Sequence, residues 1–360
     1  MGSFARRIRR VFEGFDGDAI LIYNTGLVDS NFTYLSGFTS GIFENTALLA
    51  MRNGMTLLTS DLEYETALSQ RPKEMTVVRY SGASELRDQL RKRIEGKVVG
   101  VDASFLPYHY FRKLKRLSKA RKFVDATDAL SEARLVKEPS EIANIRKAVG
   151  IVKRTFNGIE RHFKAGMTEK DLAAQFDNLM RLNGASEPSF KTIVAFGKNA
   201  ALPHHAPDYS RLKPNEFVLI DAGAKYNNYC SDLTRTFIFM PDRRSEKWRR
   251  MDDMIKTVKS AQRLALESIK PGVDGRHVHR IAADYINKAE KGVYNGLFIH
   301  SLGHSIGIDV HDGPGLSPFT RNRLDAGMVV SDEPGIYLVG FGGVRFEDDV
   351  LVAENGASFL

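Results

Sequence analysis

The chain has 360 residues, 42% hydrophobic and 27% charged, an ordinary globular balance that points to two domains and, with 22 Phe and 12 Tyr to bury, excludes a disordered chain. No apolar run approaches the roughly 18 residues of a membrane span, and the single cysteine, Cys230, excludes an internal disulfide framework and a cysteine-built zinc site. The formal charge of +8 is dispersed, with no recognisable nucleic-acid motif, so neither nucleic acid nor a membrane is expected as a partner.

The N-terminal stretch to Arg10 is basic and amphipathic, and no secretory apolar segment follows it. Arg6 stands where a myristoylation site needs Ser or Thr. Together with the lone cysteine, this predicts a cytoplasmic protein. Ala19–Tyr23 reads as a strand, and Thr46–Met51 with Met55–Thr59 as a hairpin around Arg52-Asn53-Gly54. Helices are predicted over Asp61–Gln70, Ser84–Glu95 and Tyr108–Ser118. Strands are predicted over Thr76–Tyr80, Lys97–Val101 and Lys122–Val124. The alternation predicts an α/β domain over residues 1–130 and a second domain over 131–360. The second opens on a helix from Ser140 towards Phe163, followed by one over Glu169–Asn183. Strands, glycines and histidines then take over, interrupted by helices at Ser245–Ile269 and Gly275–Lys291.

Two apolar runs, 217–223 and 229–237, flank a turn-forming centre and predict a β-hairpin. A turn at Tyr226-Asn227 sets Asp221 opposite Asp232, and a turn at Asn227-Asn228 makes them diagonal neighbours. Either way they share a face. Residues 327–335 and 342–352 repeat the arrangement with Glu333 and Glu347. Facing carboxylates repel and need a proton or a cation. A pseudo-repeat of hairpins predicts four acids around one site, an oxygen-rich set suited to two divalent ions. Asp332, one residue from Glu333, points to the other face. His300, His304 and His311 crowd between the hairpins, and His204 with His205 lies upstream. The i, i+4 spacing of His300 and His304 is a weak sign of a helical zinc pair, since Gly303 opposes a helix and no Glu follows His300.

The ordered set LPHH (202–205), IDAGAKYNNYCSDLTRT (220–236), HSLGHSIGIDVHD (300–312), DEPGIY (332–337) and GGVRFEDDVLV (342–352) resembles the pita-bread metallopeptidases, in wording closest to their Xaa-Pro branch. The first domain, with Tyr34-Leu35-Ser36-Gly37-Phe38, is similar to the creatinase-like N-terminal domain of that branch. The resemblance implies an α/β N-terminal domain and an α+β pita-bread catalytic domain. Asp221, Asp232, His304, Glu333 and Glu347 match the ligands of two divalent ions per subunit, Mn or Co first and Zn or Fe as alternatives, with Asp232 and Glu347 bridging. Glu333 matches the general base and acid that serves a hydroxide bridging the ions. His204 and His311 match the histidines that hold substrate and stabilise the tetrahedral intermediate, and His300 is a further candidate, either for holding substrate or for a place behind the ligands. The ProHis order favours His204 over His205. Arg345 is offered either as a salt-bridge partner that orients Glu347 or as a contact for a substrate carboxylate.

The implied reaction is hydrolysis of the peptide bond before proline, in Xaa-Pro dipeptides first, by a homodimer whose N-terminal domain limits substrate length. The alternatives are aminopeptidase P-type cleavage of longer peptides and a non-catalytic binding module on the same fold. Cys230 is a small buried residue, Trp248 packs between helices, and Arg321 and Arg323 sit on a surface loop. Gly335, Gly342 and Gly343 serve turns. Tyr34 and Phe38 either line the site or pack in a core.

Overall fold

The computed structural model describes residues 3–319 and 321–360, so the first two residues of the basic N-terminal stretch lie outside them. The chain divides into two units, Met1–Arg134 and Leu135–Leu360.

The first unit runs α1 (Ser3–Glu13), β1 (Ala19–Tyr23), α2 (Ser30–Ser36), β2 (Ala47–Met51), β3 (Gly54–Thr59), α3 (Asp61–Gln70), β4 (Met75–Arg79), α4 (Ala83–Ile94), β5 (Val98–Val101), α5 (Tyr108–Ser118), β6 (Lys122–Asp125) and α6 (Thr127–Leu135). The sheet order is β4-β3-β2-β1-β5-β6, parallel except along β1-β2-β3. A strand inside such a sheet is covered on both faces, which is why β1 is apolar throughout and wholly buried. Tyr34 and Phe38 pack in this unit's own core, where the Tyr34 hydroxyl donates to the Ala133 carbonyl at 2.7 Å.

In the second unit α7 spans Pro139–Phe156. It stops short of the predicted end because Gly158 takes a left-handed φ of 84°, and the apolar pattern continues in a 3-10 turn at residues 159–162. Thr168 caps α8 (Glu169–Leu182) and accepts from the Asp171 N–H. Then come β7 (Glu187–Pro188), β8 (Ile193–Phe196), β9 (Glu216–Ala222), β10 (Ala224–Tyr226), β11 (Tyr229–Cys230), β12 (Leu233–Phe239), α9 (Glu246–Ser268), α10 (Gly275–Lys288), β13 (Val329–Asp332), β14 (Gly335–Leu338), β15 (Gly342–Arg345), β16 (Asp348–Ala353) and β17 (Gly356–Phe359). Apolar stripes of α9 and α10, including Met254, Val258, Ala261, Val278 and Ala282, pack on Phe217, Leu219, Val330 and Val350 of the strands.

The first hairpin turns at Asn227 and Asn228, whose φ values are 46° and 69°. Two successive left-handed residues make the primed turn that suits twisted strands, and Asn tolerates that conformation. The turn selects the diagonal register. Asp221 faces Thr234, and Asp232 lies one step beyond the Leu233–Ala222 pair. In the second hairpin Asp332 pairs with Asp348 and Gly335 with Arg345, which sets Glu333 across from Glu347. A bridge between Thr234 and Glu347 joins the hairpins, as the pseudo-repeat predicts. Gly343 is a close approach rather than a turn: a Cβ there lies 2.1 Å from the Ala200 carbonyl oxygen. His300 and His304 lie in an irregular loop, and a Cβ on Gly303 meets the Ser331 carbonyl oxygen at 1.9 Å.

Candidate metal centre

The hairpins and the histidine loop enclose a cavity of about 510 Å³ lined by Asp221, Asp232, Glu333, Glu347, His204, His300, His304, His311 and Arg345. The strand period delivers the acids, because residues two apart share a face. Ligand atoms of Asp232, His304 and Glu347 lie within 4.8 Å of one another. His304 Nε2 is 3.6 Å from Asp232 Oδ2 and 3.5 Å from Glu333 Oε1. Its Nδ1 faces the Ser305 carbonyl at 3.3 Å, which assigns the proton to Nδ1 and leaves the Nε2 lone pair towards the acids.

The electrostatics are those of a crowded anionic pocket. Burial, then the charges of Glu347 and Asp221, hold Asp232 well above the usual carboxylate range. Burial and Glu333 do the same to Glu347. Burial pushes Glu333 up to about 8 against the opposing effect of Arg345. Burial, then His311, lowers His304 to about 4, so its imidazole is neutral at pH 7. Asp221 Oδ1, Asp232 Oδ1 and Glu347 Oε1 are buried with no hydrogen-bond partner among the described residues. Unmade bonds of this kind are costly. Acids from two hairpins, with one neutral imidazole and three orphaned oxygens, fit divalent cations.

Around this set the structure corrects and extends the sequence reading. Arg345 pairs with Asp221 at 2.6 Å, not with Glu347. Its other nitrogens donate to the Tyr337 hydroxyl at 2.9 Å and Thr234 Oγ1 at 3.0 Å, so the guanidinium is spent on positioning rather than on a free substrate carboxylate. His300 lines the cavity with both nitrogens engaged, one by the Ser301 carbonyl and one by Tyr337, each at 2.8 Å. Thr234 donates to Glu347 Oε2 at 2.6 Å. Thr234 was legible, since it shares a face with Asp232. Tyr337 sits in the quoted DEPGIY segment, but nothing local marks its role. His204 and His311 both line the cavity, and the His311 ring stacks on His304 at 4.0 Å. Asp332 faces away as expected. Cys230 is buried, its thiol pushed up to about 12 by burial and donating to the Ile308 carbonyl at 3.1 Å.

A second, larger groove of about 720 Å³ runs between α9 and β12. Trp248 lines it together with Phe237 and Ile238 and packs against the core shared by α9, α10 and the strands. Among the described residues no histidine lines that groove. Arg321 and Arg323 are exposed, as expected of a surface loop.

Residues 143–354 match the model of Metallopeptidase family M24, and residues 6–136 that of the Creatinase/Prolidase N-terminal domain. An Xaa-Pro dipeptidase from Pyrococcus horikoshii is 34% identical, over 100% of this chain and 98% of that protein. Among solved structures, an Xaa-Pro dipeptidase from Bacillus anthracis superposes with a TM-score of 0.89 at 30% identity, covering 99% of this chain and 97% of the other. An X-Pro aminopeptidase from Thermotoga maritima gives 0.87 at 31%, covering 97% of each chain.

Proposed function

The chain belongs to metallopeptidase family M24, with a creatinase-type N-terminal domain before a pita-bread catalytic domain, and on that premise we propose that it hydrolyses the bond before proline in Xaa-Pro dipeptides. The observation that carries the reading is the convergence of Asp221, Asp232, His304, Glu333 and Glu347 on one cavity, with three carboxylate oxygens left unbonded among the described residues.

In this reading those five residues hold two divalent cations, Mn²⁺ or Co²⁺ before Zn²⁺ or Fe²⁺. Bound there, such cations would supply a Lewis acid for the scissile carbonyl and a lowered pKa for the attacking water. Glu333 takes the proton from that water as its oxygen bonds to the carbonyl carbon. It returns the proton to the proline nitrogen as the C–N bond breaks, a base-then-acid role open to a carboxylate that lines the cavity beside His304. His204 and His311 face the cavity and donate to the carbonyl oxygen as negative charge develops. Arg345 clamps Asp221, while Thr234 fixes one oxygen of Glu347. The lone buried cysteine fits a reducing compartment, and the reading places the enzyme in the cytoplasm as a homodimer.

The likeness to an X-Pro aminopeptidase supports a second reading, release of an N-terminal residue before proline from longer peptides. Metal-stripped protein is given Mn²⁺, Co²⁺ or Zn²⁺ and assayed on Met-Pro, Leu-Pro and a longer Xaa-Pro-Xaa peptide, beside Glu333→Ala. Cation-restored cleavage of the dipeptides alone, lost in the variant, is the expected result. Cleavage of the longer peptide moves the assignment to the aminopeptidase. No cleavage with any cation, together with tight nucleic-acid binding at physiological salt, supports the binding-module alternative.

A further inference from the structure

The chain places two histidines in succession, and the proposed reaction uses only the first. His204 lines the cavity and makes no side-chain hydrogen bond among the described residues, so its position depends on the chain that carries it. His205 meets Glu169 instead, Nε2 to Oε2 at 2.7 Å.

Glu169 is the first residue of α8 and is fully buried. Its Oε1 accepts from the Phe196 N–H at 2.8 Å and from Asn199 Nδ2 at 2.9 Å. Its Oε2 accepts from His205 and from the Asp208 N–H at 3.0 Å. These donors come from the end of β8, from the 3-10 turn 197–201 and from the loop after it, so one carboxylate gathers both ends of the segment that bears His204. A helix N-terminus and charge-assisted hydrogen bonds make a buried carboxylate tolerable there. Main-chain bonds from Glu169 N to Ser210 O at 3.2 Å and from Leu212 N to Met167 O at 2.9 Å secure the far end. Side-chain atoms of Glu169, His205 and Asp208 also lie close enough together for a cation. However, both Glu169 oxygens and His205 Nε2 are already engaged, and Asp208 accepts from the Ser210 N–H at 2.6 Å.

We infer that Glu169 and His205 are positioning residues, a buried strut that fixes the 202–208 loop so that His204 faces the scissile carbonyl oxygen. The inference rests on the peptidase reading for its consequence and on the hydrogen bonds for its geometry. The test is a double-mutant cycle on the cation-loaded protein, following kcat and KM for Leu-Pro, metal content and amide exchange of residues 197–212. His205→Ala is expected to lower kcat about 10–100-fold, the range for outer-shell partners, with metal content unchanged and KM within about 2-fold. His205→Gln, which keeps a donor at the Nε2 position, is expected to recover most of the loss. In a His204→Ala background, removing His205 is expected to cost less than about 2-fold, because the strut acts through His204. Equal losses in both backgrounds, or no loss in His205→Ala, overturn the strut. If wild type cleaves nothing, the peptidase reading fails by itself and exchange decides the strut. Faster exchange of the loop amides in His205→Ala supports it, and unchanged exchange overturns it.

Discussion

Across β13 and β16 and their continuations, Glu333 lies over Glu347 on one face and Asp332 over Asp348 on the other. All four side chains are buried or nearly so, and both faces hold carboxylate oxygens without hydrogen-bond partners among the described residues. The surroundings differ. On the outer face Arg235 pairs with Asp348 at 2.6 Å, and Gln262 donates to its other oxygen at 3.2 Å. Burial, then Asp348, holds Asp332 well above the carboxylate range, while Arg235 pairs the Asp348 charge. On the inner face the one Lys or Arg among the described cavity-lining residues is Arg345, already bound to Asp221. Asp232, Glu333 and Glu347 are left without a cation beside a neutral imidazole. A buried acid is thus not in itself a ligand. Convergence of acids from separate hairpins, beyond what the protein's own cations compensate, is what fits the inner face to metal.

The sharpest way to break the contrast is to remove the inner cation. Arg345→Met leaves Asp221 buried and unpaired and is expected to destabilise the cation-free protein by about 3–5 kcal/mol, read from denaturant unfolding in the presence of chelator. An unchanged midpoint contradicts the assigned role of Arg345.

A smaller effect comes from burying the acids, with their mutual repulsion added to it. Glu333 stays protonated in the fold up to about 8, whereas its ordinary value is 4.5. The folded form therefore binds more protons in that window, and the stability of the cation-free protein falls as pH rises through it. His304, lowered to about 4 from 6.5, acts in the opposite sense, but only below about 6.5. Between pH 6.5 and 8 the melting temperature without cation is expected to fall. Asp232→Asn, which removes one repelling carboxyl, is expected to raise it at pH 8 by about 2–4 °C for each kcal/mol relieved. The same variant loses cation binding. A flat or rising wild-type profile contradicts the account.

The smallest effect belongs to the outer face. Asp332→Asn puts an isostere on the face turned away from the cavity, so the expected change is about 1 kcal/mol or less, with metal content and turnover kept. Loss of bound metal in Asp332→Asn erases the distinction between the faces.

What was legible in the chain follows the range of the interactions. Alternation along 217–237 and 342–352 marked the inward acids, because strand period is a local property. The turn at Asn227-Asn228 left two registers open, although paired asparagines favour the primed turn that the fold adopts. The early end of α7 turns on Gly158, a single left-handed glycine that interrupts an otherwise continuing apolar pattern. The partner of Arg345 was misread because Asp221 is 124 residues away, while Glu347 is next but one in sequence. The Glu169–His205 contact escaped notice for the same reason, whereas Tyr337 lies only eight residues from Arg345 and nothing in its local pattern marks the bond.

The central claim is that the inner acids exist to hold catalytic cations. Its most direct test is to strip the protein of metal, add Mn²⁺ in measured equivalents and follow Leu-Pro hydrolysis. The account predicts no cleavage without cation and a rise that saturates near two equivalents per chain. Cleavage that persists in the stripped protein, or none at any Mn²⁺ level from a protein that binds the ion, contradicts it.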